Sequence, residues 1–209
     1  KGSKKKYELD KETGLIILDR VLHTSTHYPA NYGFIPRTYG DDGDPLDVLV
    51  LCSEEMDPLT LVRCYPIGYI SMLDGGKNDE KIVAIPFSDP TYNTFHDLMD
   101  LPGHIFDEMA HFFTVYKALE GKETVAGDVN DRAAAVEVIR RAMDHYSDSF
   151  LGGAAAPPLP VYQIMGPVMP MAVPSRAPIS TWGSVWPRCS FSFFLGLSSS
   201  GISFQWAIT

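Results

Sequence analysis

The chain has 209 residues, 26 Asp and Glu against 17 Lys and Arg, and a formal net charge of −9. That acidic balance, with only the short run Lys4-Lys5-Lys6 as a basic segment, argues against a nucleic-acid partner. Three scattered cysteines (Cys52, Cys64, Cys189) have neither metal-ligand nor disulfide-framework spacing, so a reducing, cytoplasmic setting is expected. The sequence begins at Lys1 without Met or signal peptide, which leaves an organellar location open.

In chain order, β-type runs fall at Leu15–Leu18, Leu46–Cys52, Leu61–Ile70 and Lys81–Pro86, divided by Gly, Asp and Pro. Pro102 can open a helix, behind which Ile105, Met109, Phe112, Phe113 and Tyr116 recur at helical spacing. A second helix is predicted after Asn130 or Asp131 as N-cap, with Val136, Ile139, Met143, Tyr146 and Phe150 as its apolar face. Strands first and helices later predict an α+β domain over residues 1–150, a small barrel or curled sheet covered by helices.

From Leu151 the composition changes. All 26 acidic residues and 15 of the 17 basic ones precede it, so residues 1–150 carry −11 and residues 151–209 carry +2. Gly152–Pro158 is linker-like, and eight of the 16 prolines and all three Trp lie in residues 151–209. An irregular, poorly ordered tail is expected there. Its most hydrophobic piece, Cys189–Leu197, would be a partner-binding or aggregating patch if exposed. Arg188 and the serines keep every run short of a membrane span of roughly 18 apolar residues.

Asp42, Asp44 and Asp47 crowd one turn that runs into the apolar strand Val48–Leu51. Mutual repulsion makes such crowding costly unless cations offset it, and hard oxygen donors suit Mg²⁺, Mn²⁺ or Ca²⁺. An EF-hand fails, because position 6 from Asp42 is Asp47 instead of Gly and position 12 is Ser53 instead of Glu. A second polar turn, Asp74–Lys81, adds Asp74 and Asp79 as candidate ligands; taken alone it is an ordinary solvated hairpin loop.

Tyr28-Pro29-Ala30-Asn31-Tyr32-Gly33-Phe34-Ile35-Pro36, followed by Asp42-Gly43-Asp44-Pro45-Leu46-Asp47-Val48, resembles the signature of soluble family I inorganic pyrophosphatases. The second string matches the family pattern D-[SGDN]-D-P-[LIVM]-D-[LIVMGC] at every position. Lys6-Tyr7-Glu8-Leu9-Asp10 with Gly14, Asp19-Arg20, the Asp74…Asp79…Lys81 loop and His111–Lys117 match in order and spacing. The likeness covers about residues 1–150 and none of the tail.

The resemblance implies an OB-like five-stranded barrel flanked by two helices, and Mg²⁺-dependent hydrolysis of pyrophosphate to two orthophosphates. It implies several Mg²⁺ ions per site, with Mn²⁺ or Zn²⁺ as substitutes, and a homo-oligomer. By the same likeness Asp42, Asp47 and Asp79 would hold the first metal. Asp47 would bridge to a second, and Asp74 with Asp79 would bind one that arrives with substrate. Asp44 matches the general base. Lys6, Arg20, Tyr32, Lys81, Tyr116 and Lys117 match phosphate contacts, and Glu8 a further acidic position. The family has a strand ahead of the Lys6 block that this sequence lacks, so an opened sheet edge and one acidic group fewer are expected.

Simpler roles compete. Tyr116 shares a helical stripe with Met109 and Phe112, and Arg20 beside Asp19 could be a surface ion pair. The six histidines show no HxH or HExxH spacing, which disfavours a His-rich manganese enzyme. The rival functions are a catalytically impaired pyrophosphatase-like interaction module using its hydrophobic tail, and a two-metal phosphoesterase acting on larger substrates.

Overall fold

The computed structural model describes residues 1–10 and 12–152 and, as backbone, residues 204–208. The expectations for the intervening tail, including the Cys189–Leu197 patch, lie outside the described residues.

Strands β1 (Lys5–Leu9) and β2 (Ile16–Val21) pair antiparallel as a separate hairpin. Among the described residues seven strands form a mixed sheet: β3 (Asn31–Phe34), β4 (Asp47–Val50), β5 (Leu61–Asp74), β6 (Lys77–Asn78), β7 (Lys81–Pro86), β8 (Thr124–Asn130) and β9 (Phe204–Ile208). β4 and β7 are parallel, whereas β5 runs antiparallel to β6, β7, β8 and β9 along its 14 residues. Register shifts at Pro66/Gly68 and Ile70/Met72 let one long strand serve so many partners. Gly68 sits at the first shift, where a Cβ would collide with the Asn130 carbonyl and Leu98.

The expected strand runs are present, and β5 continues four residues beyond Ile70. The order is less segregated than expected, because β8 lies between the two helices and β9 follows both. β9 pairs with β3 through Gly33 and Phe34 and with β5 through Leu61–Cys64. The far end of the chain thus supplies backbone partners to both β3 and β5.

Helix α1 (Gly103–Val115) has Pro102 as its N-cap residue and buries Met109, Phe112 and Phe113, as the apolar spacing indicates. Helix α2 (Arg132–Phe150) is capped by Asp131, whose carboxylate accepts from the Ala134 amide at 2.8 Å. Its buried stripe is Ala135, Val138, Ile139 and Ala142, which corrects the predicted face. Only Ile139 is common to both. The alanines let α2 lie close against β5, while Phe150 is exposed and clusters with Tyr39 and Tyr146. The core runs from β4, β5 and β7 to α1, and an aromatic file (Phe112, Tyr28, Tyr32) leads out of it.

Candidate active site

The parallel register Val48↔Ile82 starts β4 and β7 side by side, which brings Asp47 next to Lys81. Lys81 is 2% exposed and binds both Asp47 and Asp79, the latter at 2.7 Å. Tyr32 on β3 donates its hydroxyl proton to Asp47 and accepts from Lys81 at 3.2 Å. Its ring packs between Tyr28 and Phe113. Burial works against the Lys81 ammonium, but Tyr32, Asp47 and Asp79 outweigh it and hold its pKa well above the usual lysine range. Burial, with Asp47 beside it, likewise raises the Tyr32 hydroxyl, so it stays a neutral donor. The Asp79 carboxyl is lifted by burial against the pull of Lys81, and Asp47 and Asp42 add to the rise.

The acidic turn owes its shape to short-range bonds. The Gly40 amide donates to the Asp44 carbonyl at 2.8 Å, and the Asp44 amide donates to the Asp42 carboxylate at 3.0 Å. Gly43 sits between them at φ 91°, a conformation that favours glycine. Asp74 ends β5, where Lys117 binds it, and the Asp79 amide is anchored on the Met72 carbonyl at 2.9 Å. Tyr116 caps the end of α1, buried against Phe112 and Phe113, with the Lys117 ammonium 5.2 Å from its ring centre. Burial opposes the charge of Lys117 too, but the bond to Asp74 holds its pKa above the ordinary value.

The hairpin supplies the other wall. Lys6 on β1 lies opposite Arg20 on β2, and Lys6 binds Glu8 at 2.6 Å and Asp19 at 3.5 Å. Arg20 donates to Asp19 and to Glu120, each at 2.6 Å.

All twelve candidate residues line one cavity of about 540 Å³. Asp42, Asp44, Asp47, Asp74, Asp79 and Glu8 supply its negative groups, and Lys6, Arg20, Lys81 and Lys117 its positive ones; Tyr32 and Tyr116 supply hydroxyls. Among the described residues no three His, Cys, Asp or Glu side chains converge closely enough to hold an ion. Lys81 engages Asp47 and Asp79, and Lys117 engages Asp74. Arg20 has a partner that sequence reasoning missed, Glu120, one hundred residues away and detectable only as a carboxylate three places after Lys117.

The family model of inorganic pyrophosphatase matches residues 1–147. The chain belongs to the inorganic pyrophosphatase family. It is 45% identical over 151 residues to an inorganic pyrophosphatase of Haloferax volcanii, covering 72% of this chain and 85% of that protein. It is 46% identical over 151 residues to soluble inorganic pyrophosphatase 1 of Arabidopsis thaliana, covering 72% and 71% respectively. The solved structure of a Helicobacter pylori inorganic pyrophosphatase superimposes with a TM-score of 0.69 at 41% identity, covering 70% of this chain and 88% of that one. A Thermus thermophilus inorganic pyrophosphatase gives 0.68 at 39% identity, covering 70% and 86%. The matched span contains the whole cavity lining except Phe150. Among the described residues no helix is long and apolar enough to cross a membrane.

Proposed function

We propose that this member of the inorganic pyrophosphatase family hydrolyses pyrophosphate to two orthophosphates with the help of Mg²⁺. The observation that carries the reading is the mixture of five aspartates and four cationic side chains around one small cavity. A site meant only for an anion has no use for so many carboxylates, and one meant only for cations has no use for four positive charges. Bridging metals and a small, highly charged anion satisfy both sets.

The aspartates fit such ions by chemistry. They are hard oxygen donors lining one cavity, and Asp47 and Asp42 lie near enough to Asp79 to add to the rise of its carboxyl pKa. Asp42, Asp47 and Asp79 would hold the first ion, Asp47 a second, and Asp74 with Asp79 one brought by substrate. Bound there, divalent cations would bring the pKa of a water from about 15.7 toward neutrality and would cover charge on the phosphate oxygens.

The chain's own groups do the rest. The Asp44 carboxylate accepts the proton of the attacking water. Arg20 offers a bidentate grip on phosphate, while Lys6, Lys81 and Lys117 act as point charges toward its oxygens. Tyr32 and Tyr116, both shifted above the ordinary tyrosine range by burial, donate hydrogen bonds without adding charge. Positioning and charge cover of this kind are what phosphoryl transfer demands. The tight bonds of Lys81 and Lys117 to the aspartates place each ammonium beside a carboxylate that metal would occupy. The overall frame we propose is the OB-like five-stranded barrel, with β3, β4, β7, β5 and β9 as its staves.

Phosphate release from pyrophosphate, measured with Mg²⁺ and then Mn²⁺ and compared with a nucleoside triphosphate, tests the reading. Pyrophosphate should be strongly preferred, and Asp42→Asn or Asp47→Asn should abolish release. No release above background by the metal-loaded chain would reject the proposal; equal rates on the triphosphate would favour a broader phosphoesterase.

A further inference from the structure

The family reading uses Arg20 and leaves Glu120 without a role. Glu120 ends a 3₁₀ turn, Ala118–Glu120, that follows directly on Lys117. Its amide donates to the Lys117 carbonyl at 2.9 Å, and Gly121 closes the turn in the left-handed region at φ 70°. Side chains three apart eclipse in a 3₁₀ turn, so one short element presents both Lys117 and Glu120.

Glu120 is 9% exposed, and its Oε2 accepts from Arg20 Nη1 at 2.6 Å. Its other oxygen, Oε1, is buried with no hydrogen-bond partner. A buried carboxylate oxygen left unpaired costs stability, and an ion pair in such a place is often no better for the fold than apolar packing. Packing alone therefore gives no reason for the charge. Arg20 supplies one, because it is 26% exposed and lines the cavity, whereas neither Asp19 nor Glu120 does. Asp19 takes Nε and Glu120 takes Nη1, so two acceptors fix the plane of the guanidinium. A guanidinium has five N–H donors, which leaves three to grip a phosphate.

We propose that Glu120 is a positioning residue: it holds the Arg20 guanidinium in the orientation that receives a phosphate group of the substrate. This rests on the reading of Arg20 as a phosphate contact. The 3₁₀ turn then couples two phosphate ligands from distant parts of the chain, Lys117 directly and Arg20 through Glu120.

The test is a double-mutant cycle on the full chain. Glu120→Ala should raise KM for pyrophosphate about tenfold, the size expected for losing one charged hydrogen bond, with kcat little changed. Glu120→Gln, which keeps an acceptor oxygen at the same reach, should recover most of that loss. In an Arg20→Ala background Glu120→Ala should add nothing, since the group it positions is gone. Calorimetric binding of methylenediphosphonate, a pyrophosphate analogue whose P–C–P link cannot be hydrolysed, in Mg²⁺ gives the same cycle without turnover. An unchanged KM and analogue affinity in Glu120→Ala overturns the proposal. So does an equal loss with and without Arg20, which would make Glu120 a merely structural residue. If Arg20→Ala alone leaves both quantities unchanged while phosphate is still released, the Arg20 contact and its positioning fall together and the hydrolase reading stands.

Discussion

The two walls of the cavity carry similar charges in different surroundings. On the sheet wall Lys81 is almost fully buried, tied to Asp47, Asp79 and Tyr32 at the start of two parallel strands. On the hairpin wall Lys6 and Arg20 stand on a two-stranded hairpin that leaves Ile17, Leu18 and Val21 exposed to solvent. Lys81 on the first wall is built into the core of the fold, whereas Lys6 on the second is paired only with the part-exposed Glu8 and Asp19. The same substitution should therefore have different costs on the two sides.

Lys81→Met is the harshest way to test that contrast. It strands two carboxylates in a buried setting, and in metal-free buffer denaturant unfolding should show a loss of about 3–5 kcal/mol. Added Mg²⁺ should restore part of it, by offsetting the same carboxylates. A loss as small as that of a surface lysine would break the distinction between the walls.

Asp89, buried away from the cavity, extends the comparison to a carboxylate held by backbone instead of by lysine. Burial pushes its pKa up, but the amides of Ser53 at 2.7 Å and Thr91 at 2.9 Å outweigh this and hold it at about 2. Because the folded value lies below the unfolded one, about 3.9, its stabilisation is complete above pH 4 and is lost as pH falls toward 2. Asp89→Asn should cost about 1–3 kcal/mol at pH 7, and its unfolding curve should approach that of the parent chain near pH 2. A gap that persists at pH 2 would locate the effect in packing instead.

Removing residues 203–209 probes the sheet wall at its margin. Without β9, the amides of β3 at Gly33–Phe34 and of β5 at Leu61–Cys64 that it partners should lose protection in hydrogen exchange, while those of β4 and β7 keep theirs. Unchanged exchange at β3 and β5 would show that β9 contributes nothing there. The smallest effect on stability is expected for Lys6→Met, under about 1 kcal/mol, because its partners Glu8 and Asp19 are part-exposed to solvent. Its deficit should appear in KM for pyrophosphate.

Legibility followed the range of the forces involved. The strand starts at Asp47 and Lys81 could be read because an apolar run begins abruptly after a polar turn. Asp131 could be read as an N-cap because capping is a contact across three residues. β1, β3 and β8 offered no such signal: Lys5–Leu9 is dominated by charge, Asn31–Phe34 is short and contains Gly33, and Thr124–Asn130 mixes Gly and Asp into its alternation. Their pairing comes from partners elsewhere in the chain, which supply backbone hydrogen bonds irrespective of side-chain pattern. The face of α2 was misread for a related reason, since weighting by large apolar residues passes over the alanines that permit close contact.

The sequence by itself determined the chemistry of the site: its acidic turns, its four cations, its tyrosines and their likeness to the inorganic pyrophosphatase family. Local rules and motif spacing are enough for that, because they act over a few residues. Tertiary structure alone decided how those groups meet. The parallel register of β4 and β7 set Asp47 beside Lys81, the turn after α1 carried Glu120 to Arg20, and β9 found β3 and β5. Each depends on long-range packing and backbone pairing, which fix distance in space where the sequence specifies only distance along the chain.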